Sequence, residues 1–193
     1  MIEEGTLLTR LVQYDLTALA QVYDEYHDKI YRYAYWHLGQ VDAAEDLTAN
    51  VFLRLLNAVR DGRSPHKNLS GWLYRVAHNL IVDARRTQPQ EDLELAEYLE
   101  GRGPDLTQVV EQHVEMERMR TALQQLTETQ QQVIVLRFLE GMTSRQVATI
   151  MGSTEGAVDA LQHRALLALR KVLQQGQRPE GEGAAAVGTE ALG

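Results

Sequence analysis

Apolar residues return at steps of three and four along most of this chain, and no stretch alternates as a strand would. The sequence can therefore bury its hydrophobic surface only by packing helices, and the expected fold class is all-α. Pro65, Pro89, Pro104 and Pro179 fall outside the periodic segments, as expected for a residue that breaks helix interiors. Leu19, Tyr23, Tyr26, Ile30 and Tyr33 mark one face of a helix from Leu16 to about Leu38, closed by Gly39. Asp42 is suited to cap a second helix with the stripe Leu47, Val51, Leu55 and Val59. After the loop DGRSPHKN, Ser70 is suited to cap a third, in which Leu73, Val76, Leu80 and Ala84 face a core. Further on, Val109 to Leu126 reads as helix, and Thr127 caps the next, whose run Val133 to Leu136 stops at Gly141. Pro, Gly and acidic residues crowd the stretch near residues 87–106. The division expected is a domain over 1–87, an acidic linker over 88–106, a domain over 107–175 and a disordered tail over 176–193.

Within the second domain, Thr143-Ser144-Arg145-Gln146 has the form of a capping box that opens a short helix. Gly152 supplies the left-handed conformation of a tight turn, and Ser153 or Thr154 can cap the helix that follows. That helix places Val158, Leu161, Ala165, Leu169 and Val172 on one side and Asp159, Ala160, His163, Arg164, Arg170 and Lys171 on the other. A short helix, a glycine turn and a second helix with a polar, partly basic face make a helix-turn-helix, whose second helix fits the DNA major groove. A helical hairpin with no DNA role would share the outline.

A net charge of −8 over 193 residues argues against a nucleic-acid partner until its distribution is considered. Residues 54–86 carry seven basic and two acidic groups and residues 118–175 seven and four, whereas residues 87–117 carry one and nine. Two cationic blocks are thus separated by an acidic one. There is no cysteine, which removes disulfides, thiolate metal sites and cysteine nucleophiles. No apolar run approaches the roughly 20 residues that span a bilayer, so no membrane insertion and a cytoplasmic location are expected. The six histidines are scattered, without HExxH or paired metal spacing, and no Gly-rich phosphate loop follows a strand. Neither catalysis nor a cofactor is expected.

These motifs together resemble the extracytoplasmic-function sigma factors of the sigma-70 family. Residues 126–171, LTETQQQVIVLRFLEGMTSRQVATIMGSTEGAVDALQHRALLALRK, resemble region 4; residues 45–56, EDLTANVFLRLL, resemble region 2.2; residues 70–86, SGWLYRVAHNLIVDARR, resemble regions 2.3 and 2.4. A helix-turn-helix alone would suit a regulator that never touches polymerase, but that class does not supply the WLYRVAHN segment.

The resemblance implies a transcription initiation factor that binds core RNA polymerase and directs it to minus-10 and minus-35 promoter elements. Its region 2.2 would dock on the beta-prime clamp helices through Asp46, Leu47, Asn50, Phe52 and Leu53, and the beta flap would be a further polymerase contact. Regions 2.3 and 2.4 would melt and read the minus-10 element through Arg63, Asn68, Trp72, Arg75, Asn79, Asp83 and Arg86. Here a flipped base must offset a few kcal/mol of unstacking, and stacking on an aromatic contributes about 1–3 kcal/mol. Many members carry an aromatic near the position of Arg63, which this chain lacks. The recognition helix would read duplex minus-35 DNA with Thr154, Glu155, Asp159, Ala160, His163 and Arg164. The family pattern like TVKSRL reads AVDALQ in this chain, so fewer phosphate contacts are implied. An anti-sigma factor, which the family often has, is a further implied partner, and the linker would thread its acidic groups into the polymerase channel.

A carboxylate at 159 repels phosphate, although it can accept from cytosine N4. Asp159→Lys in the C-terminal domain should raise non-specific duplex affinity. The plot of log affinity against log salt should steepen by about one phosphate contact, as read by fluorescence anisotropy titrations. Unchanged binding would place residue 159 off the DNA-facing side.

Overall fold

The computed structural model describes residues 4–63, 65, 67–87 and 106–175, and all of its regular structure among them is helical. The first domain contains α1 (Glu4–Val12), α2 (Leu16–Leu38), α3 (Val41–Arg60) and α4 (Leu69–Thr87). The second contains α5 (Leu106–Gln124), α6 (Glu128–Ile134), α7 (Ser144–Met151) and α8 (Glu155–Gln175). α6 runs on into a π-helical turn, Val135–Leu139. The expected linker, except for Leu106 at the start of α5, and the expected tail lie outside the described residues.

In the first domain α2, α3 and α4 pack on one another, with α1 laid against α2. The stripe expected on α3 is inward at every position, Leu47, Val51, Leu55 and Val59 all being buried. On α4 the inward line is Leu69, Leu73, Ala77 and Ile81 with Tyr74 beside it, while Val76, Leu80 and Ala84 are half-buried. The line has turned by a fraction of a helical turn because Tyr74 seats its ring edge-on to Tyr33, 5.2 Å between centroids. On α2 the core line is Ala18, Val22, Ile30, Tyr33, Ala34 and His37, which moves Tyr23 outward to 46% exposure, against expectation. Small Ala18 and Ala34 allow the close approach of neighbours that a tyrosine stripe would prevent. Each fully buried leucine or isoleucine here contributes roughly 1.5–3 kcal/mol.

Helix ends follow local chemistry, with two corrections. Asp15, unforeseen, caps α2 by accepting from the backbone of Thr17 and Ala18, and Gly39 ends it at φ +77°. A Cβ at Gly39 would displace the Arg120 guanidinium, and the left-handed backbone is what the position requires of its residue. α3 begins two residues earlier than expected: Gln40 is its N-cap and Asp42 lies inside the first turn, where it meets the positive end of the helix dipole. α4 begins before Ser70, and Asn68 takes the capping role instead, its Oδ1 accepting from the Gly71 amide at 2.9 Å. The Thr127–Gln130 capping box is present as expected.

The second domain packs α6, its π turn and α7 on α8, and α5 touches both α2 and α8. Buried Leu123, Val133, Leu136, Val147, Val158, Ala165 and Leu169 form its share of a core that continues between the domains. Gly141 follows the π turn at φ +65°, in its expected role as a stop.

His37 is buried near the domain junction. Its Nδ1 donates to the Tyr33 carbonyl at 2.8 Å, and its Nε2 has no hydrogen-bond partner. Burial pushes its pKa down to about 3, with the Arg85 charge acting in the same direction. Burial also lowers the pKa of His78. The His37 imidazole is therefore neutral when folded but takes up a proton on unfolding below about pH 6.5, and the shift of His78 acts in the same direction. The contribution of His37 is complete above that pH and is lost as pH falls from about 6.5 toward 3. Thermal midpoints should drop between about pH 7 and pH 5. His37→Asn should flatten that slope in calorimetric scans; a slope as steep as that of the parent would deny His37 its part.

Candidate nucleic-acid interface

The helix-turn-helix is built from complementary local bonds. At Thr143 the hydroxyl accepts from the Gln146 amide at 3.3 Å while Gln146 Oε1 accepts from the Thr143 amide at 2.9 Å. Gly152, at φ +63°, closes α7, and the Thr154 hydroxyl accepts from Ala157 to open α8. Ser144 Oγ donates to Asp159 Oδ1 at 2.6 Å, joining the first turn of α7 to the middle of α8's first half. A second brace runs from Arg137, which donates to Gln162 Oε1 at 2.8 Å and to the Met142 carbonyl. Thr154, just before α8, and Glu155, Asp159, Ala160, His163 and Arg164 on it are all exposed. They line one open side, and Asp159, between Glu155 and His163 on that side, is tied to Ser144 of α7. Leu161 turns partly inward against the core.

On α4, Asn79, Asp83 and Arg86 are exposed and Trp72 is half-buried against the core, leaving part of its indole open. Asn68 sits at φ +53° and commits its Oδ1 to the cap, so its side chain positions the start of α4. Gly71 has no room for a Cβ beside the Asn68 amide, which explains a glycine in the first turn of a helix. Arg63 donates to Asp61 at 2.6 Å, and with Arg60 it holds the Asp61 carboxyl below its ordinary pKa. Arg75 does not point into solvent alone: it donates to the carbonyls of Thr149 at 2.8 Å and Ile150 at 3.4 Å, at the end of α7.

On α3, Asp46, Asn50 and Leu53 are exposed, Leu53 at 53%, and the Asn50 amide donates to the Asp46 carbonyl at 2.9 Å. Leu47, expected beside them, is only 6% exposed: it belongs to the core stripe and supports the surface from beneath. Phe52 is half-buried, its ring 4.8 Å from Tyr23, which lies 4.8 Å from His27. Tyr23, His27 and Leu56 thus extend the Phe52–Leu53 patch and were missed. The signal was present as an aromatic pair at i, i+4 on α2, but it reads equally as core.

Among the described residues no group of three or more acidic or histidine side chains could hold a metal ion, and no helix is long and apolar enough to cross a membrane.

The family model for sigma-70 region 2 matches residues 22–90, and that for sigma-70 region 4 matches residues 122–171. The ECF RNA polymerase sigma factor SigW of Bacillus subtilis is 32% identical over 83% of this chain and 91% of its own length. The ECF RNA polymerase sigma factor BldN of Streptomyces coelicolor is 30% identical over 89% of this chain, which spans 66% of that relative. Among solved structures, CnrH in complex with the cytosolic domain of CnrY matches with a TM-score of 0.70 at 19% identity, over 89% of this chain and 97% of that one. The sigma factor RpoE in complex with the anti-sigma factor NepR from Bartonella quintana matches with a TM-score of 0.61 at 19% identity, over 80% and 96%. At that identity the likeness is one of fold.

Asn68 carries two requirements that substitution can separate. Asn68→Ala removes the cap and strains a left-handed residue, and should cost about 1–3 kcal/mol. Asn68→Gly keeps the backbone permissible and should cost less, by denaturant unfolding. Equal losses would mean that the positive φ carries no strain.

Proposed function

The chain belongs to the extracytoplasmic-function sigma factors of the sigma-70 family, and we propose that its two domains divide promoter recognition between melted and duplex DNA. As a member of that family it is an initiation factor that binds core RNA polymerase and directs it to promoters. The observation that carries this is the order of the two matches, region 2 over residues 22–90 and region 4 over residues 122–171, on one helical chain. A helix-turn-helix regulator acting without polymerase has no need of the first.

In this reading the first domain extends over 1–87 and the second over 107–175. Trp72, with part of its ring open, offers a stacking surface for an unpaired base, and Asn79 a paired donor and acceptor for a base edge. Arg75 and Arg86 neutralise the strand beside them, Arg63 extends the cationic rim, Asp83 borders the stripe, and Asn68 fixes the start of α4. On α8, Arg164 and His163 approach the phosphates and base edges of the minus-35 duplex, while Glu155, Thr154 and Ala160 line the groove. Asp159, held by Ser144, favours bases that donate and disfavours tight independent binding. Specificity therefore depends on tethering both domains to one polymerase. The α3 surface of Asp46, Asn50, Phe52 and Leu53 docks on the beta-prime clamp helices, extended by Tyr23 and Leu56, with Leu47 beneath. The protein contributes binding alone, and bond formation is the polymerase's. An anti-sigma factor is a fitting further partner, since CnrH and RpoE were each solved bound to another protein.

Reconstitution tests the reading. Core polymerase from the same host should retain the chain stoichiometrically on a column and then transcribe from a promoter only in its presence. Leu53→Asp removes an exposed apolar contact without touching the core, and should weaken capture about tenfold or more while leaving thermal stability within about 1 kcal/mol. Failure of the parent chain with active polymerase would sink the proposal.

A further inference from the structure

Nothing inside the molecule requires a glycine at position 156. Gly156 is exposed in the first turn of α8, its backbone is not left-handed, and a Cβ there would meet no atom within 4 Å. A glycine in a helix costs stability against alanine because it has more backbone freedom to lose. What the missing side chain provides is therefore outside the chain: room for another molecule to come close to the α8 backbone. Val158, Ala165 and Leu169 face the core. A turn of about 100° per residue then sets Gly156 at the centre of the opposite side, with Ala160 and His163 beside it. Glu155 and Asp159 run along the flank nearer α7, and Arg164 stands on the other. Asp159 Oδ1 accepts from Ser144 Oγ at 2.6 Å, which orients the carboxyl and leaves Oδ2 to accept elsewhere. Among the described residues no arginine or lysine forms an ion pair with Glu155 or Asp159.

We propose that α8 seats deeply in the minus-35 major groove over Gly156, and that Glu155 and Asp159 accept from cytosine N4 amines, so that the promoter carries cytosine at two nearby positions of one strand. This rests on the assignment of α8 to duplex DNA. An ionised carboxylate can only accept, and the donors in the major groove are cytosine N4 and adenine N6. The adenine amine lies between two acceptors, its own N7 and the thymine O4, whereas the cytosine amine has an acceptor on one side alone. Guanine and thymine present acceptors and repel a carboxylate. Four residues of helix span about 6 Å and base pairs rise by about 3.4 Å, so the two carboxylates, on one flank, meet bases of one strand about two steps apart. Aspartate is short and reaches a base edge only where the backbone comes close, which Gly156 and Ala160 permit. At any other sequence the two charges face acceptors and phosphates without compensation. α8 thereby gains discrimination while giving up affinity.

The test uses holoenzyme assembled from the full chain and core polymerase. Promoter duplexes randomised across the minus-35 element are presented to it, and those retained are sequenced. Cytosine should be enriched at two positions of one strand, about two base pairs apart. Asp159→Ala should relax the preference at one of them and Glu155→Ala at the other, each by about tenfold. Gly156→Gln supplies a good helix former where the fold has room for it. It should leave the thermal midpoint equal or higher while weakening binding to the selected promoter about tenfold, a pair of changes that a purely structural glycine would not give. No cytosine enrichment with the parent chain, or enrichment that survives both alanine substitutions, overturns the inference; so does a Gly156→Gln chain that binds as the parent does. The initiation role is judged by the same holoenzyme: if it transcribes from promoters without that preference, the role stands and the carboxylate reading fails. A chain that core polymerase never captures ends both.

Discussion

A helix that ends in a protein interior leaves backbone carbonyls that must find donors, and the arrangement of this chain depends on how two such ends are satisfied. α2 and α7 both finish where the domains meet. Neither uses solvent for all of its last carbonyls: Arg85 and Gln131 serve α2, and Arg75 serves α7. Arg75 and Gln131 each join one domain's side chain to the other's backbone, while Arg85 serves its own domain's α2 and also Gln131 of the other. Unsatisfied carbonyls of this kind cost about 1–3 kcal/mol each when buried.

What could be read in the sequence was what depends on residues a few positions apart. The Thr143–Gln146 and Thr127–Gln130 boxes, Gly39 and Gly152 as left-handed stops, and the α3 stripe all rest on contacts within five positions, where residue type nearly determines geometry. Errors arose where two residues of equal aptitude stood close together. Asn68 and Ser70 are both good caps, and Gly71 decides between them because only there does the Asn68 side chain fit. The α2 face was misjudged at Tyr23 because a tyrosine at the right spacing outweighs alanine in any reading of pattern, although Ala18 and Ala34 are what permit close packing. α1 escaped notice because nine residues hold only Leu7, Leu8 and Leu11 as inward positions.

The candidate site was legible as a list more than as an arrangement. Residues on α8 were placed correctly on one exposed side because a helix with a known inward line fixes the rest. The partners of Arg75, Tyr74 and Arg85 lie 46 to 75 positions away, or across the domain boundary, and no local pattern reports them. Ser144 and Asp159 likewise meet only because the Gly152 turn sets the angle between α7 and α8. A charge that seemed out of place on a recognition helix is thus also a brace for it.

The π turn at Val135–Leu139 has its own consequence for how such chains diverge. Its bonds step back by five or six residues, Glu140 to Val135 and Met142 to Leu136. One more residue is thereby accommodated than an α-turn would hold, and every side chain after it is rotated about the axis. Removing a single residue there would restore ordinary winding with the flanking caps intact. A one-residue gap between otherwise similar chains would therefore be absorbed at this point, leaving α7 and α8 in step. Phe138 and Leu139, turned outward by the wide turn, would be the positions whose surroundings change.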